Sequence, residues 1–353
     1  HYSVPDTNTG RSFLRESEAE MNVEAILLIT GLSALISTLT TPIAIKVANK
    51  YGLIRPDAHK AEEVYVPLLG GIPLVVGSSI GLAVASLIYP QYAIEIIVQL
   101  LTTFLAFIVG LVDDVKILSG IKKTILTLIS ILPVIIAALI FSNKIVLGRP
   151  YVPILGRLRL TLIYWVLLPF AIAGPANVVN MLDIMNGIMP STSLLIFSAL
   201  FSSSTVLGSE VGMVISAAWI GALVGYLPYN MYPARIFNGD AGSLAVGAAI
   251  GSLAVLTRQE FIALVALFPQ LLNGFLVVKS IGGFKEHREI RERPIIVRKG
   301  KLYPSRSPSA PLSLTRLLLL FSGELTEKDV VLAYIIVGWV SALLAFVSSL
   351  LVV

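Results

Sequence analysis

The sequence predicts an all-α polytopic membrane protein with about ten transmembrane helices and both termini extracytoplasmic. Composition is the first observation behind this. The chain has 353 residues, 56% apolar and 13% charged, whereas a soluble domain carries roughly 25% charged residues. So little charge cannot wet a globule of this size, which excludes an ordinary cytosolic enzyme and a disordered chain. The chain has no cysteine, which excludes a disulfide-stapled module, thiolate metal sites and cysteine nucleophiles.

The second observation is a series of long apolar runs at 22–45, 68–89, 93–112, 124–141, 160–176, 189–207, 211–227, 243–257, 261–278 and 330–352. Each is near the length needed to span a bilayer, about 20 residues. The third is the placement of charge. Of 26 Lys and Arg, 19 fall in the loops after odd-numbered spans, which puts those loops in the cytoplasm. Lys144, Arg149, Arg157 and Arg159 run against that bias in the loop 142–159. The prolines and glycines there (LGRPYVPILGR) read as a folded hairpin, where the rule is weaker. Net charge is +5, and the positive-inside bias accounts for it first.

Residues 1–20 are polar and precede Met21. They lack the basic, apolar and small-residue order of a signal peptide and read as an appended leader with native translation from Met21. A native polar tail is the alternative. Residues 21–353 read as one integral membrane domain, with a cytoplasmic segment at 279–329 inside it.

The odd loops also hold nearly every polar group that is unfavourable near a membrane. Asp57, His59 and Lys60 follow span 1, and Asp113 and Asp114 follow span 3. Asn177, Asn180, Asp183 and Asn186 follow span 5, Asn230, Arg235, Asn238 and Asp240 follow span 7, and His287, Arg288, Arg291 and Arg293 follow span 9. Clusters alternating with pairs of spans open on one face, so the chain has one cytoplasmic site.

Each motif has a chemical reading and a plain one. In GLVDDVKILSGIKK (110–123), adjacent carboxylates at a span end need a cation, either Mg²⁺ or a lysine such as Lys116, Lys122 or Lys123. The plain reading is a solvated helix end. In NVVNMLDIMNG (177–187), polar residues recur every three positions and form one stripe if helical. Amide and carboxylate oxygens suit Mg²⁺ over a soft metal; the plain reading is interhelical hydrogen bonding. FNGDAGS (237–243) sets Asp240 among small residues just before a span, where backbone can approach a phosphate. The eleven basic residues of 279–329 mostly reflect loop orientation or anionic lipid. His287 and Arg288 differ because arginine can clamp a phosphate. SLTRLLLLF (313–321) is too short to span and belongs at the interface or beneath the bundle. The set is the equipment of Mg²⁺-assisted transfer of a phosphorylated group, and the active site lies on the cytoplasmic face.

These motifs, in this order, resemble the polyprenyl-phosphate N-acetylhexosamine-1-phosphate transferases, over roughly residues 40–310. YNMYPARIFNGD, FPQLLN and HREIRERPIIVRKGKL look most like the branch that starts N-glycan assembly. The histidine-rich last loop of the branch acting on UDP-MurNAc-pentapeptide is absent from the sequence. The resemblance implies attack of a dolichyl-type polyprenyl phosphate on UDP-GlcNAc, giving polyprenyl-diphospho-GlcNAc and UMP, with another UDP-sugar donor as the alternative. It implies Asn180 and Asp240 at the metal, which would be Mg²⁺ with Mn²⁺ as a substitute. Lys123 and the pair Asp113 and Asp114 join Asp240 as catalytic groups. Asp183, Asn186, Asn238, His287, Arg288, Arg291 and Lys60 are placed on substrate. The implied partners are these substrates and membrane lipid, with a homodimer open and no nucleic acid. The mixture of motifs favours an archaeal-type plasma membrane over the endoplasmic reticulum. A nucleotide-sugar transporter is the competing class; it would need ionisable groups near the bilayer midplane and paired repeats, and the sequence has no evident repeat.

Overall fold

A computed structural model of the protein describes residues 22–58, 60, 63–283 and 292–352. The leader 1–20, His59, His287, Arg288 and Arg291 lie outside the described residues. The chain runs from α1 (Val23–Lys50) through a short antiparallel hairpin, β1 (Ile54–Pro56) and β2 (Tyr65–Pro67), into α2 (Gly71–Ile88). α3 (Ala93–Lys116) crosses back, and α4 (Gly120–Leu128) and α5 (Leu132–Ile140) cross as one span joined by a single tight turn. A second hairpin, β3 (Tyr151–Val152) with β4 (Gly156–Arg157), falls where the outer loop reads as folded. α6 (Leu162–Leu182), α7 (Ile188–Val206), α8 (Glu210–Asn230) and α9 (Gly239–Thr257) follow. α10 (Glu260–Ala266) and α11 (Phe268–Ile281) meet at a 72° bend. The hairpin β5 (Ile295–Arg298) with β6 (Lys301–Pro304), the short amphipathic α12 (Leu314–Ser322) and α13 (Glu327–Leu350) complete the chain.

The protein is thus an all-α polytopic membrane protein. Among the described residues nine helices are long and apolar enough to span, or ten if the bent pair counts as one. Lipid contact does not drive helices together, so small residues and close backbone approach must. α9 is the central helix, with 83% of its apolar window buried against 22% for α1. A Cβ at Gly247 would lie against the Pro175 carbonyl of α6, and one at Gly110 of α3 would lie against the Asp240 carbonyl. Those contacts draw α3 and α6 onto α9. α1 instead presents Leu27, Leu28, Leu35, Leu39 and Ile43 outward, as a lipid-facing helix should.

Two sequence expectations change locally. The polar stripe does not stay on one helix. α6 ends at Leu182, and a tight turn (Ile184 N–H to Leu182 C=O, 2.8 Å) carries Asp183 to Asn186 off its axis. The turn closes at Gly187, whose φ of +87° suits glycine. α9 also begins earlier than the apolar run, so Asp240 lies inside its first turn. The reason is a partner from α3. Asp114 accepts the Asp240 and Ala241 N–H groups at 2.8 and 3.0 Å, capping the helix in place of its own N-cap side chain.

Candidate active site

The ends of α3, α4, α6, α9 and α11 on one face of the bundle, with the first and last hairpins, enclose a cavity of about 1060 Å³. That is room for a ligand larger than a typical drug-sized molecule. Asp113 ends α3, Lys123 lies in the first turn of α4, Asn180 is near the end of α6 and Asp240 opens α9. No two of these helices are consecutive except α3 and α4, yet the four side chains form one knot. Lys123 Nζ donates to Asp240 Oδ2 at 2.7 Å, to Asp113 Oδ2 at 3.0 Å and to Asn180 Oδ1 at 3.4 Å. Asn180 Nδ2 donates to Asp240 Oδ1 at 2.6 Å and to Ser243 Oγ at 2.8 Å. The Leu118 N–H closes on the other Asp113 oxygen, which turns the chain sharply after α3 and aims α4 at the knot.

The oxygens of Asp113, Asp240 and Asn180 therefore converge on one cation position, held here by an ammonium. Among the described residues no cluster of three or more His, Cys, Asp or Glu could hold a metal alone. A site with one or two carboxylates and an amide is the kind Mg²⁺ uses when substrate phosphates and water complete its shell. Asp240 and Asn180 are the residues that fit that ligand set.

A second tier lies beside the knot. Asn238 Nδ2 donates to Asp183 Oδ1 at 2.8 Å, while Asn238 Oδ1 is buried without a partner. Loss of surrounding water pushes the Asp183 carboxyl up to about 7; the Asn238 donor opposes that shift and the Asp240 charge adds to it. Asn186 Nδ2 donates to Asp57 Oδ2 at 3.1 Å, and the Asn186 N–H to Glu327 Oε1 at 3.0 Å. The Gly187 N–H donates to Asn230 Oδ1 at 3.0 Å and fixes the turn that carries Asn186.

The structure thus brings Asp113, Asp114, Lys123, Asn180, Asp183, Asn186, Asn238 and Asp240 to one cavity wall. Asp114, also on the wall, has both oxygens on the backbone of α9. Lys60 is not on the wall. Its ammonium is 2.8 Å from Glu327 Oε2 and 3.5 Å from the Tyr232 ring centroid, a pairing across 267 positions that loop position alone does not reveal. Sequence reasoning missed Arg55, Glu327 and Ser243. Glu327 had no local signal, because its partners come from the far end of the chain.

The sequence pattern of glycosyl transferase family 4 matches residues 96–258, a stretch that contains the knot and, of its second tier, Asp183, Asn186, Asn230 and Asn238. A phospho-N-acetylmuramoyl-pentapeptide-transferase of Bacillus anthracis (strain A0248) is 31% identical over 276 residues, 74% of this chain and 84% of that relative. Proteins of the same name from Bacillus thuringiensis (strain Al Hakam) and Bacillus mycoides (strain KBAB4) are 30% identical, the latter covering 69% of this chain and 78% of its own length. The chain belongs to glycosyl transferase family 4. As a family 4 protein it falls in the polyprenyl-phosphate hexosamine-1-phosphate transferase superfamily. The expected N-glycan branch and the archaeal or reticular membrane find no support in these bacterial relatives. The motifs behind that expectation fall partly within 96–258, the stretch that the family pattern matches. Of the segments behind the branch expectation, residues 287–291 lie outside the described residues.

Proposed function

We propose that this family 4 protein transfers an N-acetylhexosamine-1-phosphate from a UDP-sugar to a polyprenyl phosphate, with Mg²⁺. The observation that supports it is the convergence of Lys123, Asp113, Asp240 and Asn180 from four helices on one cavity wall. A phosphate oxygen of the lipid attacks the β-phosphorus of the donor, the bond to UMP breaks, and polyprenyl-diphospho-sugar remains. A lipid phosphate monoester, with its second pKa near 6 by analogy with phosphoserine, is mostly dianionic at neutral pH, so no general base is required. Lys123 balances charge on the transferred group, and Asp113 holds Lys123 in place. Mg²⁺ on Asp240 and Asn180 would supply Lewis-acid neutralisation of the diphosphate.

For the donor, the names of the relatives favour an envelope precursor of the UDP-MurNAc-pentapeptide kind. UDP-GlcNAc, with a dolichyl-type acceptor in the N-glycan role, is the second reading. One observation favours it: the only histidine between residues 279 and 329 is His287. UMP release by the purified full chain decides, with each donor offered alone and then in competition, with and without Mg²⁺. Mg²⁺-dependent release from one donor, matched by a lipid-linked product, supports the transferase. Silence with every donor from folded protein overturns it and favours transport.

A further inference from the structure

Arg55 lines the cavity but belongs to none of the motifs that point to phosphotransfer. It sits on β1, directly after α1, and reaches across to the end of α3. There its NH2 donates to the Asp114 carbonyl at 3.0 Å and its NH1 to the Ile54 carbonyl at 3.3 Å. A guanidinium has five N–H donors, so these contacts leave part of the fork unused. Among the described residues no carboxylate forms an ion pair with it; the ion pairs there belong to Lys60, Lys123 and Lys301.

Charge makes that spare fork meaningful. Asp57, Asp113, Asp114, Asp183, Asp240 and Glu292 line the cavity, against Arg55, Lys123 and Arg293 as cations. Lys123 is held by two of those carboxylates, and Arg293 is exposed at the rim. Arg55 is the half-buried cation on the wall that no carboxylate neutralises. A phosphorylated ligand entering an acidic cavity needs such a group, and guanidinium forks match phosphate oxygens in pairs. A helix cap on α3 would explain the bond to the Asp114 carbonyl, but an uncharged donor could make that bond as well.

We propose that Arg55 is a phosphate-binding residue of the cavity, holding either the lipid monoester or the nucleotide diphosphate. This rests on the phosphotransfer reading for the identity of the ligands. The test is equilibrium binding of a short-chain prenyl monophosphate, and separately of UDP, to the purified full chain as wild type, Arg55→Gln and Arg55→Lys. Melting temperature is measured on each protein. Gln removes the charge and the fork, whereas Lys keeps the charge and loses the fork.

The expected result is a roughly 10- to 100-fold loss of affinity in Arg55→Gln for one of the two ligands, with partial recovery in Arg55→Lys and similar melting temperatures. Loss confined to the prenyl phosphate assigns the residue to the acceptor; loss confined to UDP assigns it to the donor. Unchanged affinity for both ligands overturns the proposal. So does a lowered melting temperature in both variants with affinity of the folded protein retained, because that is a cap alone. Wild-type binding without UMP release from any donor would sink the transferase reading and leave the phosphate subsite standing.

Discussion

Acidic side chains lie at both ends of the bundle, and the two ends use them differently. At the opposite ends of the spans two carboxylates each accept from one tyrosine hydroxyl. Glu210 accepts from Tyr92 and Glu260 accepts from Tyr164, each at 2.5 Å. Those pairs join neighbouring helices and line no part of the large cavity. At the cavity end Asp113 and Asp240 share one ammonium with an amide, and space opens beside them. Acidic residues near a membrane therefore mark a site only where several donors converge and space is left for a ligand. A buried carboxylate with one partner is a helix contact.

That contrast can be broken by mutation, and the largest effect is expected at the knot. Asp240→Asn should lower UMP release by at least about 100-fold, the loss expected when a group aimed at developing charge is removed, while the protein stays folded by its melting profile. Activity within a few-fold of wild type would show that the knot is a helix contact like those at the opposite ends. Asp114→Ala should act on stability first. It removes two charge-assisted bonds at the start of α9, about 2–4 kcal/mol, read as a clear fall in melting temperature. Asp113→Ala, one residue away in the same motif, should lose turnover with a smaller change in melting, which separates the neighbours by role.

Glu210→Gln should change melting by about 1 kcal/mol or less, since the amide can keep a bond to Tyr92, and leave UMP release within about twofold. A large loss of activity would carry chemistry to the opposite face and collapse the comparison. The smallest effect concerns pH. The Asp183 carboxyl stands at about 7 in the folded protein against roughly 3.9 unfolded. The folded state therefore holds the proton more tightly, so its stabilising contribution is complete below pH 4 and is lost as pH rises through 7. Asp183→Asn should flatten that part of the melting-temperature curve. An unchanged slope would place the titration elsewhere.

Some of this was legible in the chain before folding. Apolar runs of bilayer length made the spans readable, and the loop alternation of Lys, Arg and polar residues put one site on one face. Asp113, Asn180 and Asp240 were readable too, because polar residues at span ends need a reason, whereas Lys123 stood out from Lys116 and Lys122 only through the family resemblance. The hairpin at 151–157 followed from its prolines and glycines. What failed was local geometry set from a distance. The stripe at 177–186 looked helical by spacing, but the Gly187 turn, pinned by Asn230 from α8, broke it. That Asp114 accepts from the first turn of α9 was likewise invisible in the chain.

The sequence by itself determined that this is a membrane protein, how many spans it has, and which hard-oxygen and cationic groups face one side, because hydropathy and charge are properties of the chain. Only the tertiary structure decided which of those groups meet. Asp240 reaches Lys123 across 117 positions, and Lys60 is drawn to Glu327 across 267. Those pairings depend on how glycine-lined helices pack around α9, and spacing along the chain does not encode packing across it. For the same reason Arg55, silent in the sequence, became a cation on the cavity wall.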